Sequence, residues 1–171
     1  SVRVPFNVDI GIGDVIVPEA QERSVKTQLD EYDMPLIMTY SLESTIAEKF
    51  DAILQRFELT GRMKDFYDIY YLSQMFDFDG VQLQSAIEET LRNRGTKYDE
   101  DSFKRVLALV DDEDMHVKWR HFLKTLRSSE IDFNEVMKVL ERFLDPVWEA
   151  VVAQNKLSKK WSSVDEKWCA G

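Results

Sequence analysis

Between Asp132 and Val151 the apolar residues recur at helical spacing, and no other segment narrows the choice of fold as much. Phe133, Val136, Met137, Leu140, Phe143, Leu144, Val147, Trp148 and Val151 form one apolar stripe, too wide for a helix that lies in water and suited to one packed among others. Asp132 is placed to cap this helix, Glu135 to complete a capping box, and Ile131 with Val136 to staple its entry. Pro146 is expected to bend the helix or end it early. Weaker stripes predict further helices over 42–57, 62–76, 81–93, 99–110 and 113–127, with 132–153 the last.

The first forty residues follow a different rule. Val2, Val4, Phe6, Val8 and Ile10 alternate with Arg3, Pro5, Asn7 and Asp9, the period of a half-buried strand. A turn is expected at Gly11 to Gly13, a second short strand over 15–17 and a third over 36–40. Residues 19–33 read as loop or weak helix. The fold class is therefore α+β and predominantly α, with a small N-terminal sheet over 1–40, a helical domain over 41–153 and a tail over 154–171. That tail is basic, carries Trp161 and Trp168, and is expected to dock loosely.

Composition removes several function classes. The 171 residues carry 22 Lys+Arg against 32 Asp+Glu, a net charge of −10, which disfavours coating nucleic acid by charge alone. A hydrophobic share of 44% is enough for a core and disfavours disorder. Cys169 is the single cysteine, so an intrachain disulfide framework is excluded. No apolar run approaches the roughly 20 residues of a membrane span, and no segment reads as a signal peptide. The expectation is a cytoplasmic protein with no membrane association.

Charged residues stand in unexpected places on two helices. Lys49 shares a face with Leu42, Ile46 and Ile53, and is flanked by Glu43 and Glu48. Two readings are open: its stem snorkels along the core, or it is a cation held to meet a phosphate. On the next helix Asp65 and Asp68 are one step apart, behind Arg62 and Lys64. Such a pair can hold a divalent cation, accept a proton or clamp a nearby Lys or Arg, and acids near a helix start are also common for dipole reasons alone. Asp9, before the glycine turn, is either a metal ligand or a turn cap.

The succession Val8-Asp9-Ile10-Gly11-Ile12-Gly13-Asp14, then Tyr40-Ser41-Leu42-Glu43 running into Ala47-Glu48-Lys49-Phe50, then Arg62 and Lys64-Asp65-Phe66-Tyr67-Asp68 resembles the AbiEii/AbiGii toxin family. These are nucleotidyltransferase-like toxins of bacterial and archaeal type IV toxin–antitoxin and abortive-infection systems. The blocks cover roughly residues 4–73. The resemblance implies transfer of a nucleotide from an NTP to an acceptor, with tRNA as a candidate, and a Mg2+ requirement. It implies Asp9 at the metal and Lys49, with Glu48 and Arg62, on the nucleotide. Asp65 and Asp68 would orient Lys49 or assist the attacking group. It also implies a cognate antitoxin that need not bind the toxin directly.

One part of the family pattern is missing. Family members carry a Gly-Gly or Gly-Ser turn followed by Asp-x-Asp upstream of the Asp9 strand, and no such dipeptide occurs here. Asp77/Asp79, Asp99/Asp101 and Asp112/Asp114 follow no glycine turn and read as helix caps and acidic loops. The expectation is a C-terminal portion of such a toxin, inactive alone and not holding Mg2+ or NTP by itself. The alternative is a non-catalytic helical protein-interaction module. A homodimer covering an open strand edge is a further expectation. His116, Arg120, Lys124 and Arg127 form a basic stripe that reads either as a solvated face or as a contact for an RNA backbone.

Overall fold

The computed structural model describes residues 3–8, 16–29, 31–56, 62–126 and 131–170. Among these residues the helices are α1 (Leu42–Arg56), α2 (Met63–Met75), α3 (Gly80–Arg94), α4 (Ser102–Leu107), α5 (Glu113–Leu126) and α6 (Phe133–Ala153), with a 3-10 turn at Ala108–Asp111. An antiparallel hairpin, β1 (Gln21–Ser24) and β2 (Leu36–Thr39), precedes them. A second antiparallel sheet has the order β3 (Phe78–Asp79), β4 (Lys159–Ser162), β5 (Lys167–Ala170). The fold is α+β and predominantly helical, as the sequence predicts.

Helix α6 is the axis of the core. Its stripe from Phe133 to Val151 is buried against α2, α3 and α4. The Asp132 carboxylate accepts from the Asn134 backbone N–H at 2.8 Å, a cap worth about 1 kcal/mol. That bond and a second from the Asn134 amide hold the Asp132 carboxyl below its ordinary range. Of the two outcomes expected at Pro146, an early end does not occur: the helix continues to Ala153. Proline deprives the carbonyl four residues back of its donor. The adjoining carbonyl, that of Phe143, accepts from Trp168 Nε1 at 3.0 Å.

Around α6, Phe50 of α1 meets Phe103 and Trp148 edge-on at 5.2 and 5.7 Å. Ile46, Phe66, Ile69, Leu83 and Ile87 complete the buried centre. α1 packs on both α2 and α3, which brings its polar edge between the start of α2 and the end of α3.

Burial, followed by the like charges of Glu149 and Glu141, pushes the Asp145 carboxyl above its usual range. An acid whose folded value is raised costs stability once ionised, and that cost vanishes below the unfolded value of about 3.9. Asp145→Asn is therefore expected to raise the melting temperature at neutral pH and to leave it unchanged near about pH 3, as thermal melts at the two pH values would show.

Three expectations need correction. Residues 3–8 alternate as a strand should, yet they are exposed and join no sheet. A strand needs a partner ladder, and among the described residues none lies beside them. Residues 16–18 are not a strand either. Val17 is held at the start of α1, its N–H donating to Ser44 Oγ at 2.8 Å and its carbonyl accepting from Ser41 Oγ and Ser44 Oγ. The partner of β2 is instead the polar segment Gln21–Ser24, where a loop or weak helix is expected. Its residues are all exposed, so no apolar alternation marks it.

The tail is the third correction. Lys159–Ser162 and Lys167–Ala170 form a hairpin paired to β3, and Trp161 is 1% exposed. The Ser163 N–H and hydroxyl donate to the Asp77 carboxylate, which they hold below its ordinary range. Asp79, as expected of a cap, accepts from the backbone N–H groups of Val81 and Gln82.

Candidate functional site

Helix α1 opens at Ser41, whose hydroxyl accepts from the Ser44 N–H at 3.0 Å. Two turns later Lys49 reaches toward α2 and Glu48 toward the end of α3. On α2 the three-residue offset places Asp65 and Asp68 one above the other. Lys49 Nζ lies 2.5 Å from Asp68 Oδ2 and 3.4 Å from Asp65 Oδ1. Arg62 reaches the other oxygen of Asp65 at 3.2 Å, and Lys64 reaches Asp68 at 2.5 Å. The result is an alternating row, Arg62, Asp65, Lys49, Asp68, Lys64, of three cations against two anions.

Lys49 and the two aspartates are largely but not wholly covered, with side-chain exposures of 20%, 13% and 21%. The Lys49 ammonium ends between carboxylates rather than in open water. Holding the ammonium between two acids fixes its direction, which charge-assisted contacts do better than neutral ones.

The row borders a cleft of about 370 Å3 lined by Tyr40, Thr45, Glu48, Lys49, Ala52, Arg62, Asp65 and Arg94. The structure therefore brings together Lys49, Glu48, Arg62 and Asp65 on one cleft, with Asp68 behind Lys49. Asp9 lies outside the described residues. Two participants carry no signal in the sequence reading. Arg94, at the end of α3, pairs with Asp51 at 3.1 Å and approaches Glu48 at 3.7 Å. Asp51 is 1% exposed and also accepts from Gln55 Nε2 at 2.9 and 3.0 Å and from the Thr96 hydroxyl. The one clue was an acid on α1 between Phe50 and Ile53 with no cation three or four residues away on the helix.

Among the described residues no group of three or more His, Cys, Asp and Glu side chains could hold a metal ion. The α2 carboxylates face cations already, so these residues do not fit a Mg2+ site. Of the basic stripe, Arg120 and Lys124 are exposed, whereas His116 Nε2 lies 2.8 Å from the Val110 carbonyl and its ring packs edge-on against Phe133. That removes His116 from the stripe, and Arg127 lies outside the described residues. No helix among the described residues is long and apolar enough to cross a membrane.

Fold and cleft together define a predominantly helical α+β protein with a lysine clamped between acids at the edge of a groove. Residues 1–153 match the family model described as nucleotidyl transferase AbiEii toxin, Type IV TA system. The chain belongs to that family, of nucleotidyltransferase-like toxins in type IV toxin–antitoxin systems in which an antitoxin is the other component. No curated protein and no solved structure matches it.

Proposed function

We propose that this chain is the C-terminal lobe of a nucleotidyltransferase that moves a nucleotide from an NTP to an acceptor such as tRNA, and that Lys49 meets the phosphates. The observation that carries the reading is the meeting of Lys49 with Asp65 and Asp68 beside the cleft. In such a transfer the acceptor hydroxyl attacks the α-phosphorus and pyrophosphate leaves, so negative charge must be received where it builds up. An ammonium already aimed by two carboxylates needs little reorganisation to receive it. Arg62 supplies a second positive group and Glu48 a carboxylate in the same cleft. Mg2+, where the reaction uses it, would be held by carboxylates outside this charged row, Asp9 among them. The protein would act in the cytoplasm, where NTPs and tRNA are found.

This lobe alone is inactive in the proposal, because the sequence has no glycine turn followed by Asp-x-Asp. Incubated with labelled NTPs and tRNA, it should transfer nothing. Mixed with a polypeptide supplying those elements, it should support transfer, and Lys49→Ala should lower the rate by about a hundredfold. Lys49-dependent transfer by the chain alone would refute its incompleteness, and transfer indifferent to Lys49 in the mixture would refute the role of the lysine.

A second reading, a helical module that binds a protein partner, is favoured by the β1–β2 hairpin. Leu36 and Met38 are 63% and 66% exposed, Ile37 on the other face is 45% exposed, and both strands have open edges. A second copy of the chain could cover them. Failure of the mixture to transfer would leave this reading in place.

A further inference from the structure

We infer that Arg94 is a second phosphate-binding cation of the Lys49 cleft and that buried Asp51 positions it; the inference rests on the nucleotide reading above. Arg94 comes from the C-terminal end of α3 and lines the cleft together with Arg62 and Asp65. It also borders a second hollow of about 340 Å3 lined by Asp51, Ala52, Gln55, Arg62 and Arg94. Ala52, Arg62 and Arg94 are common to both hollows, so the two adjoin as one groove beside α1.

Each main cation of this groove is paired with an acid beside it. Lys49 leans on Asp65 and Asp68, and Arg94 leans on Asp51 at 3.1 Å. A carboxylate as enclosed as Asp51 has to be matched by charge and hydrogen bonds, which Arg94, Gln55 and Thr96 supply. That requirement fixes the guanidinium on the groove wall with 32% of its side chain exposed. A planar fork of N–H donors held in this way suits phosphate oxygens. Lys49, Arg62 and Arg94 along one groove suit an extended anion with several phosphate groups. An arginine that served Asp51 alone would affect stability and not anion affinity.

The test is titration of the full chain with inorganic triphosphate at low salt, followed by calorimetry and 31P NMR. The probe has no base or sugar, so it reports only the cations. Saturable binding is expected with a Kd of about 1 mM. Lys49→Ala and Arg94→Gln should each weaken it about tenfold, and Arg94→Lys should stay within about threefold of the parent. Asp51→Asn should weaken it while Arg94 keeps its charge. Arg94→Gln strands a buried acid, so the Asp51→Asn/Arg94→Gln double variant should recover the melting temperature yet remain weak in binding. Parent-like affinity in the folded double variant, with Lys49→Ala still weakened, would overturn the role of Arg94 and leave the nucleotide reading standing. No saturable binding would overturn this inference alone, because the nucleotide reading is tested by transfer in the mixture, whereas binding indifferent to Lys49 would overturn both.

Discussion

Replacing Trp161 by alanine is expected to lower the melting temperature by about 10 °C, from a loss of roughly 3–5 kcal/mol. The indole is 1% exposed and meets Phe143 and Trp168 at 4.9 and 5.7 Å between ring centres. Its N–H donates to the Ser73 carbonyl at 2.7 Å. Ser73 belongs to the last turn of α2, where carbonyls lack helical donors, so the indole satisfies a group that its removal would strand. Trp161→Phe should fall between parent and alanine, keeping most of the apolar contact and losing the bond. Thermal melts followed by far-UV circular dichroism check this, and an alanine variant within about 2 °C of the parent would mean that the hairpin is not part of the core.

Gly80→Ala should also destabilise, by about 1–3 kcal/mol or more, although alanine is ordinarily the better helix residue. Gly80 is the first residue of α3. A methyl group there would lie 2.7 Å from the Leu157 carbonyl oxygen, 2.8 Å from that of Lys159 and 2.9 Å from Leu157 Cγ. Those backbone atoms cannot move away cheaply. The Leu157 N–H donates to Gln84 Oε1 at 3.0 Å, Gln84 Nε2 donates to the Asn155 carbonyl at 2.7 Å, and Lys160 is paired with Asp79. Denaturant unfolding would show the sign: an alanine variant as stable as the parent would mean that the 155–160 segment yields to the methyl group.

The helices were legible because each has to bury one face of a regular period. α1, predicted over 42–57, spans Leu42–Arg56, and α6, predicted over 132–153, spans Phe133–Ala153. Of the strands only β2, expected over 36–40 and found at Leu36–Thr39, was legible; the others were not, because short strands give period-2 patterning too few residues. Trp161 and Trp168 lie opposite each other in the β4–β5 ladder, but each strand offers only four residues, and β1 has no buried side at all. In the site, Lys49 was visible as a charge in an apolar stripe and Asp65 with Asp68 as a pair at i, i+3. Arg94 and Asp51 were not visible, since 43 residues separate them and only the packing of α3 on α1 makes them neighbours.

The β3–β4–β5 sheet gives this helical protein an unusual folding problem. Helical bundles ordinarily form quickly because their contacts are local. Here Trp161 must find Ser73 across 88 residues, Ser163 must find Asp77 across 86, and Leu157 must find Gln84 across 73. Closing loops of that length costs chain entropy before any contact returns it. The rate at which the molecule becomes native is therefore tied to this three-stranded sheet more than to its longest helix.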